Sequence, residues 1–127
     1  MTTSILVVDD HITALENLEA HLQDVGYQVY TASDGEEGLI KCRRYNPDVV
    51  IMDIFMPGLR GDIAAKAIQA DPQTKDTPII FLTALLTKKD VPSFTKIKGS
   101  YYIAKPYKID ELLLLLNRIL PKNKRIF

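Results

Sequence analysis

An uninterrupted apolar run near the middle of the chain, Val49-Val50-Ile51-Met52, is followed at once by Asp53. A strand with one wet face alternates apolar and polar residues, whereas a strand buried on both faces is continuously apolar and rich in β-branched residues. The run therefore predicts a central strand of a parallel α/β sheet. Such sheets build their sites at the carboxyl ends of the strands, so we expect Asp53 to point into a crevice there.

Similar apolar runs recur along the chain, and patterns of helical period separate them. Strict alternation of strand and helix implies right-handed crossovers, and hence a doubly wound α/β fold with five parallel strands and helices on both faces. The strands are predicted at residues 5–8, 28–32, 48–52, 79–82 and 100–104, and the clear helices begin near residues 12, 36, 62 and 109.

The segment from Leu85 to Gly99 is harder to interpret. Its polar Lys88-Lys89-Asp90 could begin a helix, but Pro92 and Gly99 both disfavour a long one. We therefore expect a short or irregular fourth helix in this segment.

Length and charge limit the classes of protein to be considered. The chain has 127 residues, 16 of them basic and 16 acidic. We expect one domain over residues 1–121 and a solvated basic tail over residues 122–127. Balanced charge argues against direct nucleic-acid binding and against a membrane surface, and no stretch has the ~20 apolar residues of a membrane span. With a single cysteine, Cys42, and no signal peptide, we expect a cytoplasmic bacterial protein.

Polar side chains end four of the five predicted strands. Asp9 and Asp10 follow the first strand, Asp53 ends the third, Thr83 ends the fourth, and Lys105 follows the fifth. Because the carboxyl ends of parallel strands lie along one edge of the sheet, these side chains are expected to converge.

Three carboxylates at one edge repel each other by about 4 kcal/mol per pair at ~4 Å and an effective dielectric constant of about 20. They need a cation, and a few oxygen ligands that leave room for water and phosphate suit Mg²⁺. Asp53 could then act as a nucleophile in phosphoryl transfer. The hydroxyl of Thr83 and the ammonium of Lys105 could hold the oxygens of the transferred group.

In order and spacing, these residues resemble the receiver domain of two-component response regulators. The resemblance covers essentially the whole chain and implies the flavodoxin-like fold of the chemotaxis regulators, with strand order 2-1-3-4-5. It implies a signalling domain that assists its own phosphorylation and dephosphorylation, not an enzyme for a separate substrate. The matching residues are Asp9-Asp10, Asp53, Met56-Pro57, Thr83-Ala84, Tyr102 and Lys105-Pro106.

The resemblance also implies roles for individual residues. Asp53 would receive a phosphoryl group from the phosphohistidine of a sensor histidine kinase or phosphotransfer protein. Mg²⁺ would be bound by Asp10, Asp53 and the main-chain carbonyl of Phe55, with Asp9 reaching it through water. Lys105 would pair with the phosphate.

A switch is implied as well. A phosphoryl group adds about −1.5 to −2 charge, so the Thr83 hydroxyl would be drawn toward it and Tyr102 would turn inward. The surface of the fourth helix, fifth strand and last helix would change, and a homodimer or an output partner would bind there. The bond between Lys105 and Pro106 would be cis.

The last helix suggests a contact surface. At ~100° per residue, Leu114 falls on the polar side of this helix, so we expect it to be exposed and to belong to a dimer or partner surface, unless the helix is simply apolar on all sides. The residues expected to share the buried face are Ile109, Leu112, Leu113, Leu116 and Leu120.

Two features depart from the usual receiver pattern. Phe55 lies two residues after Asp53, and Leu85 lies two residues after Thr83. Both would place apolar groups near the path of an attacking water, so we expect slow self-dephosphorylation. No output domain follows in this sequence, so we expect either a stand-alone receiver or one excised from a longer regulator.

Two other functions remain open. A haloacid-dehalogenase-type phosphatase also uses an aspartate nucleophile, but it needs a second acid two positions later, where Phe55 and His11 stand. A pseudo-receiver would bind partners without phosphorylation. Single residues also have simpler interpretations: Asp9-Asp10 as a helix start, Thr83 as an ordinary strand end, Tyr102 and Cys42 as core residues, and His11 as an exposed first-turn residue.

Overall fold

The computed structural model describes residues 2–84, 95–97 and 100–126, and at residues 95–97 it describes the backbone only. These residues form a six-stranded sheet. Its strands are β1 (Ser4–Val8), β2 (Gln28–Ala32), β3 (Val49–Asp53), β4 (Ile79–Thr83), β5 (Thr95–Ile97) and β6 (Ser100–Ala104).

The order of the strands across the sheet is β2-β1-β3-β4-β6-β5. All pairings among β1, β2, β3, β4 and β6 are parallel. Because β6 is the fifth predicted strand, the predicted five-stranded parallel sheet and its order 2-1-3-4-5 are confirmed. This strand order is that of the flavodoxin-like fold.

The edge strand β5 was not predicted. It runs antiparallel to β6, with Thr95 opposite Tyr102 and Ile97 opposite Ser100. The fourth helix predicted between Leu85 and Gly99 is therefore wrong for residues 95–97, where β-branched Thr95 and Ile97 favour a strand. The rest of that prediction lies outside the described residues.

The helices cover both faces of the sheet, as predicted. They are α1 (Ile12–Val25), α2 (Gly35–Tyr45), α3 (Gly61–Ala70) and α4 (Ile109–Ile119). The buried side chains of α1 and α4 join one apolar cluster, and those of α2 and α3 join the other. No helix in the described part of the chain is long and apolar enough to cross a bilayer.

Alternate residues of the central strand supply the two clusters. Val49 and Ile51 pack beneath α1 and α4, while Val50 and Met52 pack beneath α2 and α3. Every residue of β3 is buried, which confirms that the central strand is covered on both faces. Cys42 is buried too, and its burial, followed by the nearby Asp71 carboxylate, raises its thiol pKa to about 11.

The last helix confirms one prediction and corrects another. The Leu114 side chain is exposed, at 61% relative accessibility. Leu112 and Leu116 are fully buried as predicted, but Leu113 is only partly buried and Leu115 is fully buried in its place. The buried face is therefore rotated toward Leu115, since α4 packs against both the sheet and α1.

The basic tail is not wholly solvated. Residues Lys122–Lys124 form a turn of 3₁₀ helix, and the Lys124 ammonium lies 3.5 Å from an oxygen of Asp48. The Thr3 hydroxyl donates a hydrogen bond to the Lys124 carbonyl, and the Ser4 N–H donates to Asp48 at 2.9 Å. We call Thr3, Ser4, Asp48 and Lys124 the tail contact. It lies at the amino ends of β1 and β3, opposite the predicted site.

Candidate functional site

Three carboxylates meet at the carboxyl ends of β1 and β3. Asp9 and Asp10 directly follow β1, and Asp53 is the last residue of β3. One oxygen from each, together with a ring nitrogen of His11, lies within 4.8 Å of the others. We call Asp9, Asp10 and Asp53 the acidic rim.

Lys105 reaches the acidic rim from β6. Its N–H donates to the carbonyl of Thr83 at 2.8 Å, which continues the pairing of β6 with β4. Its ammonium lies 3.5 Å from Asp53 Oδ2 and 3.8 Å from Asp9 Oδ2. The predicted convergence of these residues from separate strands is therefore observed. Buried Thr83 ends the strand between them.

The carboxylates of the rim differ in how far they are covered. The side chains of Asp53 and Asp9 are 7% and 10% exposed, whereas that of Asp10 is 25% exposed. Its Oδ1 accepts a long hydrogen bond from the Phe55 N–H, at 3.3 Å. The pKa of the neighbouring Tyr107 hydroxyl is raised by burial and then by the charge of Asp9, so it stays neutral beside the rim.

One oxygen of the rim lacks a hydrogen bond. Asp10 Oδ1 is buried and has no hydrogen-bond partner in the described part of the chain. His11 Nδ1 lies 3.2 Å from it, within ion-pair distance, but the contact does not have the angles of a hydrogen bond. A buried carboxylate oxygen without a partner is costly, and a bound cation would satisfy it. The donor set therefore fits a divalent ion.

The loop after β3 is held against the rim by a glycine. A Cβ on Gly61 would lie 2.0 Å from the Asp53 carbonyl oxygen, so any larger residue would push the loop away. The Gly61 N–H donates to the Ile54 carbonyl at 2.8 Å. The sequence marks Gly61 only as part of a turn; its close approach to Asp53 appears in the fold alone.

Phe55 is part of this loop, and its side chain is 47% exposed. The guanidinium of Arg60 lies 5.4 Å from the centre of its ring, which is within the range of a cation–π contact. Leu85, the other residue expected near an attacking water, lies outside the described residues.

The two residues predicted to form the switch lie on neighbouring strands. Thr83 is opposite Ala104, while Tyr102 is opposite Phe81, so the two are offset by two positions. Tyr102 is partly buried and stacks on Phe81, with ring centres 5.1 Å apart. The peptide bond between Lys105 and Pro106 is cis.

His11 is a site residue that the sequence interpretation did not identify. It is exposed as predicted, at 69% for its side chain, yet its Nδ1 lies 3.2 Å from both Asp9 Oδ1 and Asp10 Oδ1. Its place directly after two aspartates at a strand end was the available signal. That pattern alone does not show which way the ring turns.

Comparison with known proteins identifies this arrangement. The profile of the response regulator receiver domain matches residues 5–117. The chain belongs to this family. The PilH protein of Pseudomonas aeruginosa is 36% identical over 116 residues, which is 91% of this receiver domain and 96% of PilH. The family is a signalling domain.

Another relative and a solved structure are similar to the receiver domain. The probable transcriptional regulator ycf27 of Guillardia theta is 40% identical over 124 residues, covering 97% of this chain but only 48% of the relative. The chain therefore spans about half the length of that regulator. The response regulator TrrA of Thermotoga maritima, solved in complex with Mg²⁺-BeF, has a TM-score of 0.78 and 38% identity, covering 94% of this chain and all of TrrA's.

Proposed function

We propose that this receiver domain takes a phosphoryl group onto Asp53 from the phosphohistidine of a sensor histidine kinase or phosphotransfer protein. The observation that supports it most is the Lys105 ammonium 3.5 Å from the Asp53 carboxylate, at an edge where β1 and β4 also end. A cation beside a carboxylate nucleophile is suited to hold the oxygens of a phosphoryl group.

Mg²⁺ is the proposed ion. Asp10, Asp53 and the main-chain carbonyl of Phe55 would bind it, and Asp9 would reach it through water. The unpartnered Asp10 oxygen and the clustering of the rim support this assignment, and the likeness to TrrA with its Mg²⁺-BeF supports it as well. When bound, the ion neutralises carboxylate charge that would otherwise repel an anionic donor.

The transfer forms one bond to phosphorus and breaks another. A carboxylate oxygen of Asp53 attacks the phosphorus and the new P–O bond forms. The P–N bond to the donor imidazole, which is protonated on its other ring nitrogen, breaks with its electron pair passing to nitrogen. Lys105 stabilises the phosphoryl oxygens by charge, and the Thr83 hydroxyl donates to one of them. The product is an aspartyl phosphate on Asp53 and a neutral histidine on the donor.

Phosphorylation would then change a partner surface. The phosphoryl group draws the Thr83 hydroxyl toward the rim, and Tyr102, which now stacks on Phe81, turns further inward behind it. Such a group shifts the equilibrium only as far as it binds the active form better. The strand β6 and helix α4, with Leu114 exposed on it, would present the change to a homodimer partner or an output partner.

The test is labelling by a small phosphodonor. With Mg²⁺ and acetyl phosphate, the intact protein should gain the mass of one phosphoryl group, and Asp53→Asn should gain none. Asp24→Asn, which removes an exposed carboxylate of α1, should be labelled like the wild type. Failure of wild-type labelling, together with retained partner binding, would favour the pseudo-receiver. Labelling of the wild type that does not depend on Mg²⁺ would contradict the proposed Mg²⁺ site at the acidic rim.

Phe55 is proposed to slow the loss of the phosphoryl group. Its main-chain N–H donates to Asp53 Oδ1 and its ring is exposed, so this apolar side chain would hinder a water that approaches the phosphoryl group. Phe55→Asn should therefore raise the rate constant of dephosphorylation several-fold, measured by the decay of the phosphorylated mass after donor removal. Ile63→Asn, an exposed apolar site on α3, is the control and should leave the decay unchanged. A wild-type half-life of seconds would contradict the proposal.

A further inference from the structure

We propose that His11 is a nitrogen ligand of the ion at the acidic rim, and that it gives this site a preference for nitrogen-binding divalent ions such as Co²⁺ and Ni²⁺ over Mg²⁺. This inference rests on the metal role proposed above for the rim. It adds a ligand of a different chemical class to that oxygen-only set.

The first argument is distance. His11 Nδ1 lies 3.2 Å from Asp9 Oδ1 and 3.2 Å from Asp10 Oδ1. Adjacent ligands of an octahedral ion with bonds of about 2.1 Å are about 3 Å apart, so the nitrogen already stands at the spacing of a neighbouring ligand. The ligand atoms of Asp9, Asp10, His11 and Asp53 all lie within 4.8 Å of one another. Opposite ligands of such an ion are about 4.2 Å apart, so movements of less than about 1 Å would bring these atoms to the spacing of ligands.

The second argument is the direction of the ring. His11 occupies the N-cap position of α1, yet its side chain makes no capping hydrogen bond within the described helix. At the N-cap of α2, by contrast, the Asp34 carboxylate accepts from the Glu37 N–H at 2.7 Å. The His11 ring is instead turned to the two aspartates, and its Nδ1 lies 3.2 Å from Asp9 Oδ1. The main-chain N–H of His11 donates a hydrogen bond to the same oxygen at 2.9 Å.

The third argument is the chemistry of the donor set. Mg²⁺ prefers oxygen ligands and retains its waters, whereas an imidazole nitrogen favours first-row transition ions. The Asp9 carboxylate can only accept, so Nδ1 donates to it in the absence of an ion. With its proton on Nε2 instead, the neutral imidazole would present a lone pair on Nδ1 to an ion. Adding that nitrogen to the oxygens of Asp10, Asp53 and the Phe55 carbonyl should therefore raise the affinity for Co²⁺ and Ni²⁺ much more than the affinity for Mg²⁺.

A competing role makes the opposite prediction. If His11 only neutralises the rim and must leave when an ion binds, its removal would tighten the binding of every divalent ion. The effect of removing His11 on the ratio of the Co²⁺ and Mg²⁺ affinities therefore separates the two roles.

The experiment compares two histidine variants of the full chain. His11→Ala and the matched His21→Ala, whose ring bonds to the Asn17 carbonyl within α1, are titrated separately with Co²⁺ and Mg²⁺ by calorimetry. The wild type and both variants are titrated at the same pH of about 8. His11→Ala should weaken Co²⁺ binding about 10- to 100-fold and Mg²⁺ binding by no more than about twofold. His21→Ala should change neither affinity.

A spectroscopic readout completes the test. Pulsed electron paramagnetic resonance of bound Mn²⁺ should show coupling to a nitrogen nucleus in the wild type and in His21→Ala, and none in His11→Ala. Equal weakening of Co²⁺ and Mg²⁺, tighter binding of both, or no nitrogen coupling in the wild type would overturn the inference.

Labelling of wild-type Asp53 with Mg²⁺ and acetyl phosphate is measured alongside. If wild-type Asp53 is labelled but His11→Ala shows no selective loss of Co²⁺ affinity, the proposed function stands and this inference alone is refuted. A wild type that binds neither ion and is not labelled would refute both.

Discussion

The two ends of the sheet use charge in opposite ways. At the carboxyl ends of the strands, the acidic rim gathers three carboxylates, and Lys105 is shared between two of them. At the amino ends, in the tail contact, the Asp48 carboxylate accepts from the Ser4 N–H at 2.9 Å and pairs with Lys124 at 3.5 Å. The rim carries excess negative charge, while the tail contact is balanced.

This difference separates a functional end from a structural end. Carboxylates that repel one another lower the stability of the folded protein until a cation arrives, so the rim is built for binding and not for stability. The tail contact joins the last described turn to the start of the sheet with satisfied polar groups. Substitutions of the same chemical kind at the two ends should therefore have different or opposite effects.

The largest expected effect follows from removing the counter-charge of the rim. Lys105→Met leaves two largely buried carboxylates without their cation and should lower the free energy of unfolding by about 3 kcal/mol. Lys124→Met removes the cation from a single carboxylate that keeps its hydrogen bond, and should cost about 1 kcal/mol. Urea denaturation without divalent ions measures both values. Equal losses of stability in the two variants would show that the two ends of the sheet do not differ in their need for a cation.

Mg²⁺ should stabilise the protein only through the rim. At a free concentration of about 100 times the dissociation constant, it should add about 2.7 kcal/mol to the free energy of unfolding of the wild type. Thermal denaturation with Mg²⁺ and then with a chelator measures this gain. Asp53→Asn should lose most of it, whereas Asp48→Asn should keep it. A full gain in Asp53→Asn would place the ion elsewhere.

Carboxylate removal without divalent ions should give effects of opposite sign at the two ends. Asp10→Asn relieves repulsion within the rim and should raise the free energy of unfolding by about 1 kcal/mol. Asp48→Asn weakens the ion pair with Lys124 and should lower it by about 1 kcal/mol. Urea denaturation in chelator should resolve the two signs. A loss of stability in Asp10→Asn would mean that the rim is not strained by charge.

The smallest effect on stability is expected at a residue that belongs to neither end. Leu114→Glu changes an exposed side chain of α4 and should alter the free energy of unfolding by less than about 0.5 kcal/mol. If Leu114 lies in a dimer surface, sedimentation should nevertheless show weaker self-association. Ile63→Glu, on α3, should leave association unchanged. Equal association of wild type and Leu114→Glu would remove this residue from any dimer surface.

Much of the fold was predictable because its signals are local. The five parallel strands and the buried central strand each follow from residues close together in the chain. The convergence of Asp9, Asp53 and Lys105 was predictable for a related reason, since parallel strands end along one edge. The edge strand β5 was missed because three residues are too few for a period to show.

Side-chain directions outside the strands were not predictable. Lys124 folds back to Asp48, although the sequence suggested a solvated tail, and His11, which is exposed as predicted, turns its ring to the aspartates. The buried face of α4 includes Leu115, because the angle at which a helix packs selects among adjacent leucines. These choices depend on neighbours far away in sequence.

The amino-acid sequence by itself determined the order of strands and helices and the polar residues delivered to the carboxyl edge, because apolar periodicity and strand ends are properties of short segments. Only the tertiary structure decided that Lys105 bridges Asp9 and Asp53, that Asp10 Oδ1 accepts no hydrogen bond from any residue the structure describes, and that the opposite end is neutralised by Lys124. The physical reason is that charge balance depends on distances between atoms, and those distances exist only once the chain has packed.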